Sequence, residues 1–164
     1  MAFHVRPYDD TCDRAAMIAL YRAAWHAAYD AVDGAAAIDD LIAALLDGAE
    51  PQMFALPDGD IALVAEDAGQ ISGGVRGHPR SGVVHLSGFY VQPGGLRCGT
   101  GRALLSELLR RYPPGSVVRA DVRPTSLAAL AFYSSQGFER VGRGRSIVGS
   151  NLWSDVIEMQ RTLK

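Results

Sequence analysis

Lysine and cysteine are scarce in this chain of 164 residues, and neither sign of charge is in large excess. Lys164 is the single lysine, and Cys12 and Cys98 are the two cysteines. Two widely separated cysteines indicate neither a disulfide framework nor a metal site, and the four histidines add no metal-ligand spacing. We therefore expect no metal. A cytoplasmic location is expected as well, because no charged and then apolar leader opens the chain.

The overall charge and hydropathy exclude several classes of protein. A net charge of −2 provides no basic surface for nucleic acid. Hydrophobic residues make up 48% and charged residues 21%, both near the globular average, so we expect neither a disordered chain nor a membrane protein. The length fits one domain over residues 1–164, expected as a monomer or homodimer.

Hydrophobic periodicity predicts a mixed α/β order. A short strand is expected at residues 3–6. Apolar residues at helical spacing then predict a helix that ends near Tyr29, with Ala16, Ala27 and Ala28 on its apolar face. A second helix follows over residues 36–46, ended by Asp47, Gly48 and Pro51. Further strands are expected at 61–66, 71–77, 81–91, 117–122, 138–143 and 155–162, and further helices at 101–112 and 127–136.

The segment from Val84 to Leu105 reads as a strand, a glycine-rich turn and an amphipathic helix. Glycines let backbone N–H groups point into one concavity, and a helix N-terminus adds unsatisfied amides and the positive end of its dipole. This order predicts an anion site, which fits a phosphate-bearing ligand. The strands on either side of the helix are expected to pair in parallel through a right-handed crossover.

Two common glycine-loop motifs do not fit this segment. A P-loop requires lysine after the second glycine, and Thr100 stands there. The dinucleotide pattern requires a third glycine three residues after Gly101, where Leu104 stands, and no acidic residue follows a second strand at the required distance.

Two motifs resemble those of the GNAT superfamily, the acetyl-coenzyme A dependent N-acetyltransferases. The first is Y-V-Q-P-G-G-L-R-C-G-T-G over residues 90–101, in which Leu96 departs from the usual Gln or Arg. The second is S-L-A-A-L-A-F-Y-S-S-Q-G-F over residues 126–138, in which Ser126 departs from the usual Asn. The resemblance covers nearly the whole chain.

The resemblance implies a central splayed mixed β-sheet flanked by about four helices, and acetyl-CoA as co-substrate. The pantetheine arm would enter between the strands at Tyr90 and at Asp121-Val122. Ser126 fits either a pantetheine contact or a helix N-cap, and Cys98 fits a plain loop position better than a reactive one. The residues implied to bind the cofactor are Phe89, Tyr90, Val91, Leu96, Arg97, Cys98, Gly99, Thr100, Gly101, Arg102, Ser126 and Phe132.

The resemblance also implies catalytic roles. Tyr133 matches the tyrosine that protonates the departing thiolate, although a packed aromatic is the alternative. His85 stands where many members carry a glutamate base, and its unperturbed pKa near 6.5 suits that task, although a plain strand residue is equally expected. Gly88 predicts a bulge that turns the amide of Phe89 or Tyr90 toward the thioester carbonyl.

The acceptor is expected to be a small-molecule or peptide amine, taken in a ternary complex without a covalent enzyme intermediate. A non-catalytic acyl-CoA-binding module with the same fold is the alternative. The candidate substrate residues are Trp25, Tyr29, Asp30 and Asp33, of which Trp25 and Tyr29 also fit the core. Arg143, Arg145 and Asn151 are further candidates.

Overall fold

The computed structural model describes residues 3–46, 54–95, 98–147 and 153–164. Four α-helices and seven β-strands lie in these ranges. The strands are β1 His4–Pro7, β2 Ile61–Asp67, β3 Gln70–Arg80, β4 Val83–Val91, β5 Val117–Val122, β6 Glu139–Ile147 and β7 Trp153–Thr162. The helices are α1 Asp10–Asp33, α2 Ala35–Leu45, α3 Thr100–Leu109 and α4 Leu127–Ser135.

The strands form one mixed sheet in the order β1-β2-β3-β4-β5-β7-β6. The β4–β5 pair is parallel and every other neighbouring pair is antiparallel. Parallel strands need a crossover connection, and α3 supplies it between β4 and β5. The expected mixed sheet with four flanking helices and a parallel central pair is therefore confirmed.

The two N-terminal helices meet at Gly34. The Asp9 carboxylate accepts a hydrogen bond from the Thr11 amide and caps the start of α1. Gly34, with φ of +85°, ends α1 and begins α2. The predicted end of α1 near Tyr29 was wrong, because the helix continues to Asp33 and breaks only at this glycine. The predicted stop of α2 at 47–51 lies outside the described residues.

Two tight hairpins set the register of β2, β3 and β4. Both turns place two consecutive residues at positive φ, Ala68-Gly69 and Ser81-Gly82. This conformation matches the twist of antiparallel strands, so two residues suffice for each turn. β3 therefore extends to Arg80, three residues beyond its predicted end, and β4 starts at Val83 rather than residue 81.

Helices cover both faces of the sheet. On one face the predicted leucine stripe of α3 is fully buried, although the helix ends at Leu109 rather than at residue 112. On the other face α1 buries Met17, Leu20, Tyr21, Ala24 and Trp25. The prediction that Ala16, Ala27 and Ala28 share that face was wrong, because all three are exposed. Among the described helices, none has the length and apolarity to cross a membrane.

Candidate functional site

The central strands separate in the middle of the sheet. β4 and β5 pair from Val83↔Val117 to Leu86↔Ala120, and no pairing between them follows within the described residues. Beyond that point β4 continues along β3, and β5 continues along β7. The result is a gap flanked by residues 87–91 of β4 and 121–122 of β5, as the family resemblance implied.

A bulge lies on β4 where the gap begins. Gly74 pairs with Tyr90 and Arg76 pairs with Ser87, so β4 carries one more residue than β3 at this point. Gly88 lies in the left-handed region with φ of +55° and provides the irregular conformation. The bulge predicted from Gly88 is confirmed.

The extra residue changes which side chains share a face. Alternation along a regular strand would put Leu86 and Phe89 on opposite faces. With the bulge, both pack toward α3 and α4, whereas Tyr90 packs against α1. The bulge thus keeps an apolar face on each side of the sheet while it reorients the backbone amides beside the gap.

α1 supports the bulge from one face. The Tyr21 hydroxyl donates a hydrogen bond to the Gly88 carbonyl at 3.3 Å. A Cβ atom on Gly88 would lie 2.6 Å from that hydroxyl. Tyr21 is 6% exposed, and burial raises its pKa, so the hydroxyl stays protonated and keeps donating.

The N-terminus of α3 opens toward the glycine loop. Gly99 is the N-cap residue with φ of +87°, and no side chain caps the helix. The first-turn amides are therefore available to an anion, together with the dipole of the helix. Arg102 is exposed in the first turn and Thr100 is buried. Leu96 and Arg97, which the sequence also assigned to the cofactor, lie outside the described residues.

The two sequence motifs come together at Gly101. A Cβ on this glycine would lie 3.6 Å from Val91 and 3.7 Å from Phe132, which is ordinary contact distance. The Phe132 ring lies 5.6 Å from the Phe89 ring in an edge-on arrangement. The structure thus places α4 against β4 and the start of α3, so most of the predicted cofactor residues surround one region.

Tyr133 lies beneath the gap among aromatic side chains. Its ring contacts those of Phe89, Phe132 and Phe138 at centroid distances of 6.1, 5.5 and 5.2 Å. Burial, and then the nearby Tyr29 hydroxyl, raise the pKa of Tyr133. The phenol is therefore protonated at neutral pH and has a proton to donate. The packed-aromatic alternative and a catalytic role are compatible at this position.

Three other predicted cofactor residues, Tyr90, Ser126 and Cys98, have side chains in different surroundings. Tyr90 packs edge-on against Tyr21 and Trp25, so its strand backbone rather than its ring faces the gap. Ser126 occupies the N-cap position of α4, but its side chain makes no capping hydrogen bond. The prediction of an N-cap was therefore correct for the position of Ser126 and wrong for its side-chain hydrogen bond. Cys98 is exposed.

His85 lies in the paired part of β4, one residue before the last pair with β5. Val84 and Leu86 pack toward α3, so alternation places His85 on the α1 face. It stands opposite His78 of β3. Within the part of the chain that the structure describes, its side chain makes no hydrogen bond or ion pair. Its role as a base stays a prediction.

The acceptor candidates on α1 contact other side chains. Trp25 is 4% exposed in the aromatic cluster of α1, as a core residue would be. Asp30 contacts His26 at 2.8 Å. Both carboxylate oxygens of Asp33 accept from Arg123, at 2.6 and 3.0 Å, and the Arg123 guanidinium lies 4.8 Å from the Tyr29 ring centroid. Arg143 and Arg145 lie on β6, and Asn151 lies outside the described residues.

Arg123 was missed by sequence reasoning, since no local pattern links it to a residue ninety positions earlier. It follows β5 directly and joins the end of that strand to the end of α1. The ion pair lowers the pKa of Asp33. The Arg123 guanidinium, which lies over the Tyr29 ring, holds Tyr29 beside the gap.

A second missed group lies on the α1 face of β3 and β4. The Asp60 side chain, fully shielded from solvent, contacts Arg76 at 2.8 Å, His78 Nδ1 at 2.6 Å and Arg80 at 2.9 Å. His78 Nε2 contacts the Ser87 hydroxyl. The hairpin at Ser81-Gly82 was a usable signal, because counting outward from that turn places His78 opposite His85. In the described ranges, no group of His, Cys, Asp or Glu is arranged to hold a metal ion.

Comparison with known proteins agrees with this geometry. Residues 16–138 match the model of the Acetyltransferase (GNAT) family. A segment of 62 residues, 38% of this chain and 37% of its relative, is 48% identical to the N-alpha-acetyltransferase RimI of Mycobacterium tuberculosis.

Two solved structures superimpose over nearly the whole chain. The PaiA N-acetyltransferase of Thermoplasma acidophilum, in complex with coenzyme A, is 19% identical with a TM-score of 0.76 and covers 99% of both chains. The ribosomal-protein-alanine N-acetyltransferase of Brucella melitensis is 28% identical with a TM-score of 0.67 and covers 98% of this chain and 99% of its own. The family model spans most of the described core, and we conclude that this chain belongs to the GNAT acetyltransferase family.

Proposed function

We propose that this protein transfers the acetyl group of acetyl-CoA directly to a primary amine, with the N-terminal α-amine of a peptide or protein as the acceptor. The single observation that carries the proposal is the end of β4–β5 pairing at Leu86↔Ala120 beside the bulge at Gly88. An unpaired strand edge offers backbone donors and acceptors to the amides of pantetheine, and a bulge offers an amide to the thioester carbonyl.

Three features support acetyl-CoA as the co-substrate. The uncapped N-terminus of α3 provides amides for the pyrophosphate, with Arg102 beside it. The contact of Gly101 with Val91 and Phe132 brings that helix end to the gap. The similar Thermoplasma protein was solved with coenzyme A. Leu96, Arg97, Cys98 and Ser126 remain proposed contacts.

Most of the rate enhancement would come from the orientation of the amine and the thioester and from polarisation of the thioester carbonyl. As the amine attacks, the C–N bond forms and the C–S bond breaks, and the thiolate needs a proton. Tyr133 is the proposed donor, because its raised pKa keeps the phenol protonated. The amine must lose a proton, and the sequence assigns that task to His85.

Support for a peptide acceptor comes from the named activities of the similar proteins. One is an N-alpha-acetyltransferase and another a ribosomal-protein-alanine N-acetyltransferase. An α-amine has a pKa near 8, so about a tenth of it is neutral at pH 7, against far less for a lysine side chain. Tyr29, Asp30 and Asp33 are proposed to face the acceptor, and Trp25 to support them.

The test combines two measurements on the purified chain. Calorimetry measures acetyl-CoA binding, and release of free thiol is followed with peptides that begin with Ala, Ser or Gly, with a matched N-terminally blocked peptide, with spermidine and with an aminoglycoside. We expect binding and turnover on open peptides. Binding without turnover on any amine would instead identify an acyl-CoA-binding module, and failure to bind would contradict both functions.

A further inference from the structure

Asp60, His78 and Ser87 form a chain of hydrogen bonds that ends at the gap. The Asp60 carboxylate contacts His78 Nδ1 at 2.6 Å, and His78 Nε2 contacts the Ser87 hydroxyl. Solvent exposure increases along this series of hydrogen bonds. The Asp60 side chain is 0% exposed, the His78 side chain is 20% exposed, and Ser87 is exposed. A buried carboxylate thus orients an imidazole whose other nitrogen faces a solvent-accessible hydroxyl.

The position of Ser87 links this chain to the reaction. Ser87 is the first residue of β4 beyond the last pair with β5 and directly precedes the bulge at Gly88. It lies on the α1 face of the sheet, the face on which Tyr90, Trp25 and Tyr29 also pack. A hydroxyl at this point stands beside the amide proposed to hold the thioester carbonyl.

The surrounding charges favour a neutral imidazole with an acceptor nitrogen. Asp60 holds the Nδ1 proton, so Nε2 is unprotonated and accepts from Ser87. Burial and then Arg76 lower the pKa of His78, with Arg80 adding to the effect and Asp60 opposing it. His85 faces it across the β3–β4 pair. Tyr112, whose pKa burial raises to about 12, packs on the opposite face of the sheet with α3. His78 is therefore unprotonated and able to take a proton at neutral pH.

We propose that Ser87 and His78, in place of His85, form the proton relay that serves the acceptor amine, with Asp60 as the positioning residue. The inference rests on the proposed acetyl transfer. As the neutral amine forms its C–N bond, its surplus proton passes to Ser87 Oγ while the Ser87 proton passes to His78 Nε2. The C–S bond breaks, and the thiolate takes its proton from Tyr133. The imidazolium, stabilised by Asp60, then releases its proton to solvent, and the Tyr133 phenolate takes one back from solvent.

The experiment measures kcat and kcat/KM against pH, with saturating acetyl-CoA and an Ala-initiated peptide. The proteins compared are the wild type and His78→Gln, Ser87→Ala, Ser87→Thr and His85→Gln. His4→Gln is the control, since His4 is exposed on β1, an edge strand separated from β3 by β2. Thermal unfolding and acetyl-CoA binding verify that each variant folds.

We expect His78→Gln to lower kcat about 100-fold at pH 7 and to remove the acid-side ionisation from the profile. Ser87→Ala should lower kcat by a similar factor, and Ser87→Thr should restore most of it because the hydroxyl returns. In the wild type, nitrogen NMR of the imidazole should show the proton on Nδ1 and a pKa below 6.5.

Four results would overturn the relay while leaving acetyl transfer intact. The first two are an unchanged pH profile in His78→Gln and loss of the ionisation in His85→Gln instead. The other two are an acetyl group found covalently on Ser87 and wild-type kcat in a folded Ser87→Ala variant. A wild type that transfers acetyl to no amine would overturn the relay together with the proposed function.

Discussion

Tyr133 combines a packing role with a proposed chemical one, and the two are separable by experiment. Tyr133→Phe keeps the ring contacts with Phe89 and Phe138 and removes only the hydroxyl. We expect kcat to fall about 100-fold because the thiolate loses its acid, with little change in acetyl-CoA binding. Steady-state kinetics and calorimetry provide the two measurements.

Tyr112→Phe is the matched control for this variant. The Tyr112 hydroxyl is also buried, and it has no hydrogen-bond partner among the residues described. Its removal should leave kcat unchanged. Equal kcat values in the wild type and Tyr133→Phe would remove Tyr133 from the mechanism.

Gly88 is the residue at which backbone conformation matters most. Gly88→Ala places a side chain at φ of +55° and a Cβ atom 2.6 Å from the Tyr21 hydroxyl. We expect the free energy of unfolding to fall by about 2–4 kcal/mol, from strain in the left-handed region and from overpacking. Urea denaturation measures it. Acetyl transfer should fall as well, because the bulge amide moves.

Two further variants separate the causes. Gly82→Ala has a similar φ of +80° with open space around it, so it measures the backbone cost alone. Tyr21→Phe removes the hydroxyl that the new Cβ meets, so the double variant should lose less stability than the two single losses added together. Strict additivity would mean that the clash with Tyr21 is not the cause.

At the scale of secondary-structure elements, the ion pair of Asp33 with Arg123 joins α1 to the end of β5. Arg123→Ala should raise KM for the amine several-fold, because Tyr29 loses the cation over its ring and α1 loses its contact beside the gap. Stability should change by about 1 kcal/mol or less, since the pair is partly exposed. A double-mutant cycle with Asp33→Ala measures the coupling, and a KM change confined to acetyl-CoA would contradict the placement.

The elements themselves were largely predictable from sequence. Apolar periodicity predicted the described strands and helices, because it depends on local preference. The bulge at Gly88 was implied by the family resemblance, since a glycine in a strand also fits close packing. The pair Asp33–Arg123 was not predictable from local patterns, because it joins residues 90 positions apart and depends on how α1 packs against the sheet. The pair Asp60–His78 spans 18 positions and depends on the register of β2 with β3.

At the scale of the whole molecule, buried carboxylates make stability depend on acid pH. Asp60 has its pKa lowered from 3.8 to about 2, with burial opposing and Arg76, Arg80 and His78 favouring the charged form. Arg6 likewise lowers the pKa of the buried Asp13. A lowered folded-state pKa contributes stability that is fully present above pH 3.8 and is lost as pH falls through about 2.

Asp60→Asn tests this dependence. We expect the free energy of unfolding to be about 3 kcal/mol lower at pH 7, because two arginines lose a buried counter-charge. The decline between pH 4 and pH 2 should be shallower than in the wild type. The control is Asp58→Asn at an exposed turn position, and an Asp60→Asn variant with the wild-type acid profile would show that Asp60 does not contribute.

The divergence of β4 from β5 places two open strand edges opposite each other inside the sheet rather than at its rim. Open edges normally risk pairing with other chains and aggregation. Here β3 pairs with the outer edge of β4 and β7 pairs with the outer edge of β5, so another protein strand cannot reach the two inner edges from the side of the sheet. A thin, flexible chain that carries its own amides can enter, so the pantetheine arm of the proposed co-substrate would take the place of a missing strand.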